Sequence, residues 1–327
     1  MKMKWCIAAF LFSVLCAGVQ LHAQQGDTNL VQNIKTKAEV GDAAAEYNLG
    51  AAYNKGQGVP QDNTEAVKWF RKAAEQNFAA AQYNLGVCYR DGQGIAKDEA
   101  EAVKWFRKAA EQNLAIAQYN LGVCYGDGKG VAKDYVEAVK WYRKAAEQNL
   151  AYAQCNLGAF YEQGVGLAKD YAEAVKWYRK AAEQNYGLAQ YDLGFCYASG
   201  KGVEKDAVEA ARWYRKAADQ NYAVAQCNLG VCYYNGQGVA KDYVEAVKWN
   251  RKAAEQNDAE AQSNLGVCYY WGDGVSKDYV EAYKWFNLAS AQGDEVAKKN
   301  LPILESQMTR EQIAEAQRLT RVFMPRH

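Results

Sequence analysis

The sequence predicts an all-α protein, an α-solenoid (α/α superhelix) of seven 36-residue helix-turn-helix repeats with terminal capping helices. Tryptophan and the dipeptide Leu-Gly both recur at intervals of 36 residues. Each interval contains two stretches in which apolar residues have helical spacing, separated by a glycine-rich segment. The recurring tryptophans are Trp69, Trp105, Trp141, Trp177, Trp213, Trp249 and Trp285.

The first 23 residues have the pattern of a secretory signal peptide. Lys2 and Lys4 precede an apolar stretch from Trp5 to Val19, and Ala23 offers a small residue for cleavage. An uncleaved N-terminal anchor is the alternative, although the stretch is short for a membrane-spanning helix. We therefore expect a periplasmic or secreted protein with no membrane span after removal of residues 1–23.

Residues 79–114 illustrate one repeat. Ala81, Leu85 and Cys88 share one stripe of a first helix, named helix A, and Gly92 and Gly94 end it. A second helix, helix B, follows and carries a broad apolar face. Glycine accepts the positive φ that closes a helix, so the Gly-x-Gly segment predicts a tight turn between the two helices.

Helix B has recognisable signals at both ends. Asp98 and Glu101 have the spacing of a capping box, and Asn113 suits the left-handed position that closes the helix. Because the acidic pair recurs once per repeat, we interpret it as capping rather than catalytic. The other pairs are Asp62/Glu65, Asp134/Glu137, Asp170/Glu173, Asp206/Glu209, Asp242/Glu245 and Asp278/Glu281.

The terminal segments differ from the repeats, as capping segments of a solenoid should. Residues 24–42 predict an N-terminal capping helix, and residues 295–327 predict a C-terminal one. In the latter, Pro302 is expected to break the chain, and Thr309 with Gln312 to open the final helix. The seven repeats between them occupy 43–78, 79–114, 115–150, 151–186, 187–222, 223–258 and 259–294.

The segment LGVCYRDGQGIAKDEAEAVKWFRKAAEQN and its copies resemble the Sel-one-like repeat family, a branch of the tetratricopeptide-like superhelices. The terminal MTREQIAEAQRL resembles the usual tail of such proteins. The resemblance implies a right-handed superhelix in which helix A lines the concave surface. It also implies a role as an adaptor or scaffold for other proteins, an inference that rests on analogy of fold.

The cysteines depart from one branch of that family. A secreted cysteine-rich branch, linked to β-lactam binding or hydrolysis, bridges the two helices of each unit, but here no helix B contains cysteine. We predict small buried thiols rather than disulfides or metal ligands. The cysteines beyond the leader are Cys88, Cys124, Cys155, Cys196, Cys227, Cys232 and Cys268.

Composition argues against several classes of function. The only histidines are His22 and His327, so the repeats cannot supply a histidine-dependent triad or metal site. No serine after the leader has a lysine three residues later, as a serine β-lactamase requires. A net charge of +1 gives no bulk attraction for nucleic acid. We expect a monomeric, non-catalytic protein without a cofactor.

Binding is expected on the stripe of helix A that points away from the buried stripe. Asparagine recurs there and could hold an extended peptide, although each amide could instead close a local hydrogen bond. Aromatic residues on the stripe suit binding hot spots, although Trp271 could instead pack on the terminal helix. The candidate residues are Asn84, Asn120, Tyr152, Asn156, Asp192, Phe195, Asn228, Asn235, Asn264 and Trp271.

The predicted function is therefore protein or peptide binding on the concave helix-A surface. Two alternatives remain open. One is a β-lactamase-like or β-lactam-binding protein, and the other is a module that binds peptidoglycan or another glycan through aromatic side chains beside amides.

Overall fold

A computed structural model describes residues 27–323, so the leader at 1–23 lies outside the described residues. Residues 27–323 form 17 α-helices and contain no β-strand. Pairs of helices repeat every 36 residues, which confirms the predicted all-α solenoid. None of the helices in this range is long and apolar enough to cross a membrane.

The chain divides into two compact units, Met1–Lys169 and Asp170–His327, and the boundary falls between the two helices of the fourth repeat. In the first unit α1 precedes three complete helix pairs and one further helix A. Helices A have even numbers and helices B odd ones. The helices are α1 (Asp27–Glu39), α2 (Ala43–Lys55), α3 (Asn63–Glu75), α4 (Ala79–Asp91), α5 (Glu99–Glu111), α6 (Ala115–Asp127), α7 (Tyr135–Glu147) and α8 (Ala151–Gln163).

The second unit begins with a helix B and ends with two helices beyond the seventh repeat. Its helices are α9 (Tyr171–Glu183), α10 (Gly187–Ser199), α11 (Ala207–Asp219), α12 (Ala223–Asn235), α13 (Tyr243–Glu255), α14 (Ala259–Trp271), α15 (Tyr279–Ala291), α16 (Glu295–Glu305) and α17 (Arg310–Phe323).

The start of each helix B confirms half of the predicted capping box. The Asp98 carboxylate accepts hydrogen bonds from the backbone N–H groups of Ala100 and Glu101, as an N-cap does. The reciprocal half was wrong, because the backbone N–H of Asp98 donates to the carbonyl of Tyr89 instead. The Glu101 side chain therefore turns outward and pairs with Lys104. The acidic pairs are structural, as predicted.

The helix ends follow the predicted chemistry. Helix A ends at a glycine in the left-handed region, where Gly92 has φ 71°. Helix B is followed by an asparagine in the same region, and Asn113 has φ 66°. Asparagine is among the few L-residues that adopt this region routinely, which explains its recurrence there.

The Leu-Gly dipeptide brings helix A close to helix B of the same repeat. Leu85 is fully buried. A Cβ atom on Gly86 would lie 2.7 Å from Cδ1 of Phe106 on α5, so the ring occupies the space that any side chain would need. Burying such aliphatic and aromatic side chains contributes about 1.5–3 kcal/mol each. The same contact recurs between Gly50 and Phe70, Gly122 and Tyr142, Gly194 and Tyr214, and Gly266 and Phe286, whereas Asn250 takes the place of the ring beside Gly230.

Glutamine amides tie neighbouring repeats together at the ends of helix B. Nε2 of Gln82 donates to the backbone carbonyl of Ala74 at 3.2 Å and to Oδ1 of Asn77 at 3.1 Å. Nε2 of Gln112 donates to the same Asn77 oxygen at 3.1 Å and to Oε1 of Gln82 at 2.7 Å. Buried Gln82 thus has both donors and its acceptor engaged, which removes the cost of burying an amide. The same set of bonds is made by Gln118, Gln190, Gln226 and Gln262. We call this set of bonds the glutamine lattice.

The lattice begins with a carboxyl group, because Glu46 occupies the position of Gln82 in the first repeat. Oε2 of buried Glu46 accepts from Nε2 of Gln76 at 2.7 Å. An ionised carboxylate has no hydrogen to donate backward to the capping helix, as Gln82 donates to Ala74. Burial raises the pKa of Glu46, although the hydrogen bond from Gln76 opposes the shift.

We predict that Glu46→Gln stabilises the protein at pH 7 by about 1 kcal/mol, the contribution of one hydrogen bond. A raised pKa in the folded state means that wild-type stability falls as the pH rises through that pKa. The advantage of the variant should therefore be largest at neutral pH and smallest below pH 4.5, the ordinary pKa of the group. Urea denaturation of both proteins at pH 7 and pH 4 measures it, and an equal difference at both pH values would contradict the prediction.

The C-terminal segment corrects one prediction. Pro302 does not break the chain, because α16 continues through it and ends three residues later at Glu305. The missing N–H costs one backbone hydrogen bond close to the end of the helix. The predicted capping box of α17 is confirmed: the Thr309 N–H donates to Oε1 of Gln312 at 2.9 Å, and the Gln312 N–H donates to Oγ1 of Thr309 at 3.3 Å.

Candidate binding surface

The candidate residues lie at four positions of helix A, counted from its first residue. Positions 2, 6, 9 and 13 form one stripe of each helix A, which we call the helix-A face. In α4 these positions are Ala80, Asn84, Val87 and Asp91. Opposite them, Ala81 and Leu85 are fully buried. Positions 2, 9 and 13 of this stripe vary from repeat to repeat, whereas position 6 is asparagine in six of the seven repeats.

In the first unit the asparagine amides already have partners within the protein. Nδ2 of Asn120 donates to the carbonyl of Ile116 at 2.8 Å, and its Oδ1 accepts from Nη1 of Arg90 at 3.1 Å. Nδ2 of Asn156 lies 3.5 Å from the Tyr119 hydroxyl. Asn84 and Asn156 are each only 8% exposed. The local hydrogen bond that the sequence left open as an alternative therefore exists for Asn120, and Asn84 and Asn156 expose only a small part of their surface. Tyr152 on α8 is half-buried, with its ring centroid 6.2 Å from that of Tyr119.

Arg90 is a residue of this surface that the sequence analysis missed. Its Nε and Nη2 donate to the two carboxylate oxygens of Asp91 at 2.7 and 2.8 Å. The hydrogen bonds from Arg90 to Asp91 raise the pKa of Arg90, so the guanidinium remains charged. The sequence does show that this position varies between repeats, because Asn54, Gly126 and Glu162 occupy it in the neighbouring repeats.

The second unit carries the other candidate residues, and its asparagines behave similarly. Nδ2 of Asn228 donates to the carbonyl of Val224 at 2.8 Å. Nδ2 of Asn264 lies 3.4 Å from Oδ1 of Asn250 and 3.6 Å from Sγ of Cys227. Asp192 is half-buried on α10, and Asn235 is exposed at the end of α12.

Aromatic side chains distinguish this second unit. Phe195 is 37% exposed and Trp271 is 65% exposed, so Trp271 does not pack into the terminal helix. The rings of Tyr270 and Trp271 are perpendicular, with centroids 4.8 Å apart. Tyr270 contacts the C-terminal segment, since its hydroxyl accepts from Nε2 of Gln307 at 2.9 Å. The indole is therefore held at the surface by a neighbour that is itself fixed.

Tyr234 is engaged by the loop after α14 rather than by the terminal helix. Its hydroxyl donates to Oδ2 of Asp273 at 2.7 Å, and its ring meets that of Tyr243 with centroids 4.9 Å apart. Burial is the main cause that raises the pKa of Tyr234, and the bond to Asp273 adds to it.

The seven cysteines of the described chain are buried free thiols. Burial raises the pKa of Cys88 and of Cys268 to about 12, and that of Cys124 and of Cys232 to about 11. Thiolates are the reactive and metal-binding form, so these side chains pack as small apolar groups at neutral pH. No group of three or more His, Cys, Asp or Glu side chains between residues 27 and 323 could hold a metal ion.

The helix-A face combines amides, carboxylates and exposed rings. Burial within the packed helices raises the pKa of Cys88 and that of Tyr214, which lie outside this face. Aromatic side chains that are both exposed and fixed are the usual anchors of protein interfaces.

Comparison with known proteins agrees with the fold. The Sel1 repeat pattern matches residues 43–78, 79–114, 115–150, 151–186, 187–222, 223–258 and 259–294. A Sel1 repeat protein of Oxalobacter formigenes is 34% identical, with a TM-score of 0.68 over 84% of this chain and 79% of that chain. The comparison with curated proteins found no match.

A second solved structure is similar over a longer stretch. It is c5321, a protective antigen present in uropathogenic Escherichia coli strains and displaying an SLR fold. It is 31% identical, with a TM-score of 0.54 over 91% of this chain and 87% of that chain. With seven matched repeats over residues 43–294 and these two relatives, the chain belongs to the Sel1 repeat family.

Proposed function

We propose that this protein is an exported, non-catalytic scaffold that binds a peptide or loop of a partner protein on its helix-A face. Sel1 repeat proteins are generally protein-interaction scaffolds, and the chain shares their fold. The leader supports export to the periplasm or beyond the cell. The proposed contact residues are Asn84, Asn120, Tyr152, Asn156, Asp192, Phe195, Asn228, Asn235, Asn264 and Trp271.

The observation that carries this proposal is the contrast between the buried and exposed stripes of helix A. The buried leucine is the same in every repeat, whereas position 13 holds Lys, Asp, Asp, Gln, Ser, Asn and finally Trp271. Six polar residues at this position show that the fold does not require an indole there. An exposed tryptophan that packing does not need is best explained by a binding role.

We predict that Phe195→Val with Trp271→Asn abolishes partner capture without unfolding the protein. Both replacements occur at the same positions in α12, as Val231 and Asn235, so the helices should tolerate them. The measurement is a crosslinked pull-down from cell-envelope extract with residues 24–327 as bait, comparing the two proteins. Thermal unfolding followed by circular dichroism controls for folding. Recovery of the same partner by both baits would show that another surface binds.

The asparagines are proposed to add polar contacts rather than a continuous ladder. The amide of Asn228 uses one hydrogen for a helix carbonyl, which leaves a second hydrogen for a ligand carbonyl. Asn228→Ala should therefore weaken capture much less than the aromatic replacements do.

Glycan binding is the second candidate, favoured by exposed Trp271, whose ring meets that of Tyr270, and by the amide of Gln307, which donates to the Tyr270 hydroxyl. Sedimentation with purified cell-wall sacculi tests it. The β-lactam alternative has less support, because the buried free thiols lack the disulfide pattern of the cysteine-rich branch. Turnover of nitrocefin would revive it.

A further inference from the structure

The helix-A face of the second unit carries carboxylates but no basic side chain at positions 2, 6, 9 and 13 of α10, α12 and α14. The sequences of α10, α12 and α14 contain no lysine or arginine. On the face itself they carry two carboxylates, Asp192 at position 6 of α10 and Glu260 at position 2 of α14. The basic residues of these repeats lie on helix B, as do Lys216 and Lys252, whose ammonium groups cover Trp213 and Trp249, or in the turns, as does Lys201. Lys298 and Lys299 of α16 lie outside its four face positions.

Neither carboxylate is required by the repeat. Asp192 stands where the other six helices A have asparagine. Glu260 stands where the others have alanine, isoleucine, tyrosine, leucine or valine. Their charge is therefore a departure from a position that is otherwise neutral, as with Trp271.

An apolar row accompanies the carboxylates and extends into the C-terminal segment. Position 9 holds Phe195, Val231 and Val267 on successive helices A. The helix α16 contacts α14 and has the spacing of an eighth helix A, which places Ile303 at the same position with 53% of its surface exposed. Val296 occupies position 2 of α16 and is 52% exposed. The row thus ends at exposed Ile303, and exposed Val296 adds a second aliphatic side chain to the face of the same helix.

Electrostatic effects on a neighbouring tyrosine agree with a negative potential here. Burial is the main cause that raises the pKa of Tyr191 to about 12, and Asp192, Glu260 and Asp258 raise it further. Carboxylates from α10 and from the start of α14 therefore act on the same part of the surface. Lys201 moderates this potential, since its Nζ lies 4.9 Å from the Phe195 ring centroid.

Building on the proposed function, we propose that α10, α12, α14 and α16 bind an apolar segment of a partner protein that carries lysine or arginine side chains. Its aliphatic or aromatic side chains cover the row from Phe195 to Ile303 and the indole of Trp271. Its cations lie beside Asp192 and Glu260. An acidic segment would be repelled by these carboxylates.

The test is selection of peptides from a random 12-residue phage library on immobilised residues 24–327, followed by affinity measurements with the synthetic peptides. We expect the selected peptides to combine apolar residues with lysine or arginine. Asp192→Asn with Glu260→Ala should weaken their binding about fivefold, because exposed ion pairs are individually weak. Asp219→Asn with Glu255→Gln is the matched control, since it removes two exposed charges from helix B, and it should leave affinity unchanged.

Lys201→Gln gives a change of opposite sign. Glutamine occurs at the equivalent Gln237, so the turn should tolerate it. Removing the ammonium group should tighten binding of the basic peptides about twofold. Weaker binding by this variant would overturn the proposed polarity of the surface.

The outcomes separate this inference from the proposed function. Selection of neutral or acidic peptides would overturn the inference that the partner segment is basic. If these peptides no longer bind the variant with Phe195→Val and Trp271→Asn, the proposed scaffold function stands. Basic peptides that bind the double carboxylate variant as well as wild type would also overturn the inference. Failure to select any peptide, together with sedimentation on sacculi, would overturn the protein-binding function itself.

Discussion

Gly238→Ala is expected to destabilise the second unit by about 4 kcal/mol, at the upper end of single substitutions. Gly238 is the second glycine of the turn after α12 and has φ 71°. A Cβ atom there would lie 1.9 Å from the carbonyl oxygen of Ala207, at the start of α11 in the preceding repeat. Backbone cannot move aside as a flexible side chain can, so the two repeats would have to separate.

Gly236→Ala is the matched control, because it is the first glycine of the same turn and has φ 70°. Its Cβ atom would lie 3.2 Å from Cβ of Lys241 and 3.6 Å from the Lys241 backbone nitrogen, much farther than the 1.9 Å contact at Gly238. The cost should be that of an alanine at positive φ, about 1–2 kcal/mol. Urea denaturation followed by circular dichroism compares the variants. The slope of the unfolding free energy against urea concentration is compared as well, because repeat arrays can lose cooperativity. Equal losses of unfolding free energy in the two variants would show that the close contact between Gly238 and Ala207 does not add to the cost of the substitution.

Phe106→Ala should cost about 4 kcal/mol, the usual loss for a fully buried aromatic ring. The ring lies on Gly86 of α4, and its centroid is 5.7 Å from that of Tyr83. Removing it leaves a cavity between the two helices of the second repeat. Thermal or urea unfolding of the variant gives the measurement.

The partner experiment is a double-mutant cycle with Gly86→Ala. Alone, this change forces a methyl group against the Phe106 ring and should cost about 1–3 kcal/mol. In the Phe106→Ala background the ring atoms are gone, although the Ala102 carbonyl oxygen stays 3.2 Å from the new Cβ atom, and alanine favours a helix over glycine by about 1 kcal/mol. The second change should then be neutral or stabilising. An equal cost of Gly86→Ala in both backgrounds would refute the contact.

The sequence predicted the helix ends because their chemistry is local. Asp98 caps the backbone within three residues, and Asn113 needs only its own φ. The reciprocal bond of Glu101 was mispredicted because it depends on a competitor from another helix, the Tyr89 carbonyl. The prediction for Pro302 was wrong for a different reason. A proline near the end of a helix removes only one backbone hydrogen bond, so α16 continues past it.

The sequence predicted which stripe of helix A carries the candidate residues, but it did not predict their hydrogen bonds. Helical spacing placed Asn120 and Asn156 on one stripe. It could not show that Arg90, 30 residues earlier, takes the Asn120 oxygen, or that Tyr119 lies beside the Asn156 amide. Such contacts depend on the distances between side chains of stacked repeats, and the period of the sequence does not determine these distances. Exposure of Trp271 likewise required the position of the C-terminal segment.

The glutamine lattice has a consequence for how this gene can change length. Its bonds join residues that are separated by a fixed offset, as Gln82 is from Ala74 and Gln112 is from Asn77. Excision of one whole unit, residues 79–114, would bring Gln118 to the place of Gln82 and restore every pairing. Recombination between near-identical units can therefore lengthen or shorten the array without new compensating mutations. Each such event would add or remove one helix-A stripe, so the ligand surface can evolve by whole modules while the interior stays unchanged.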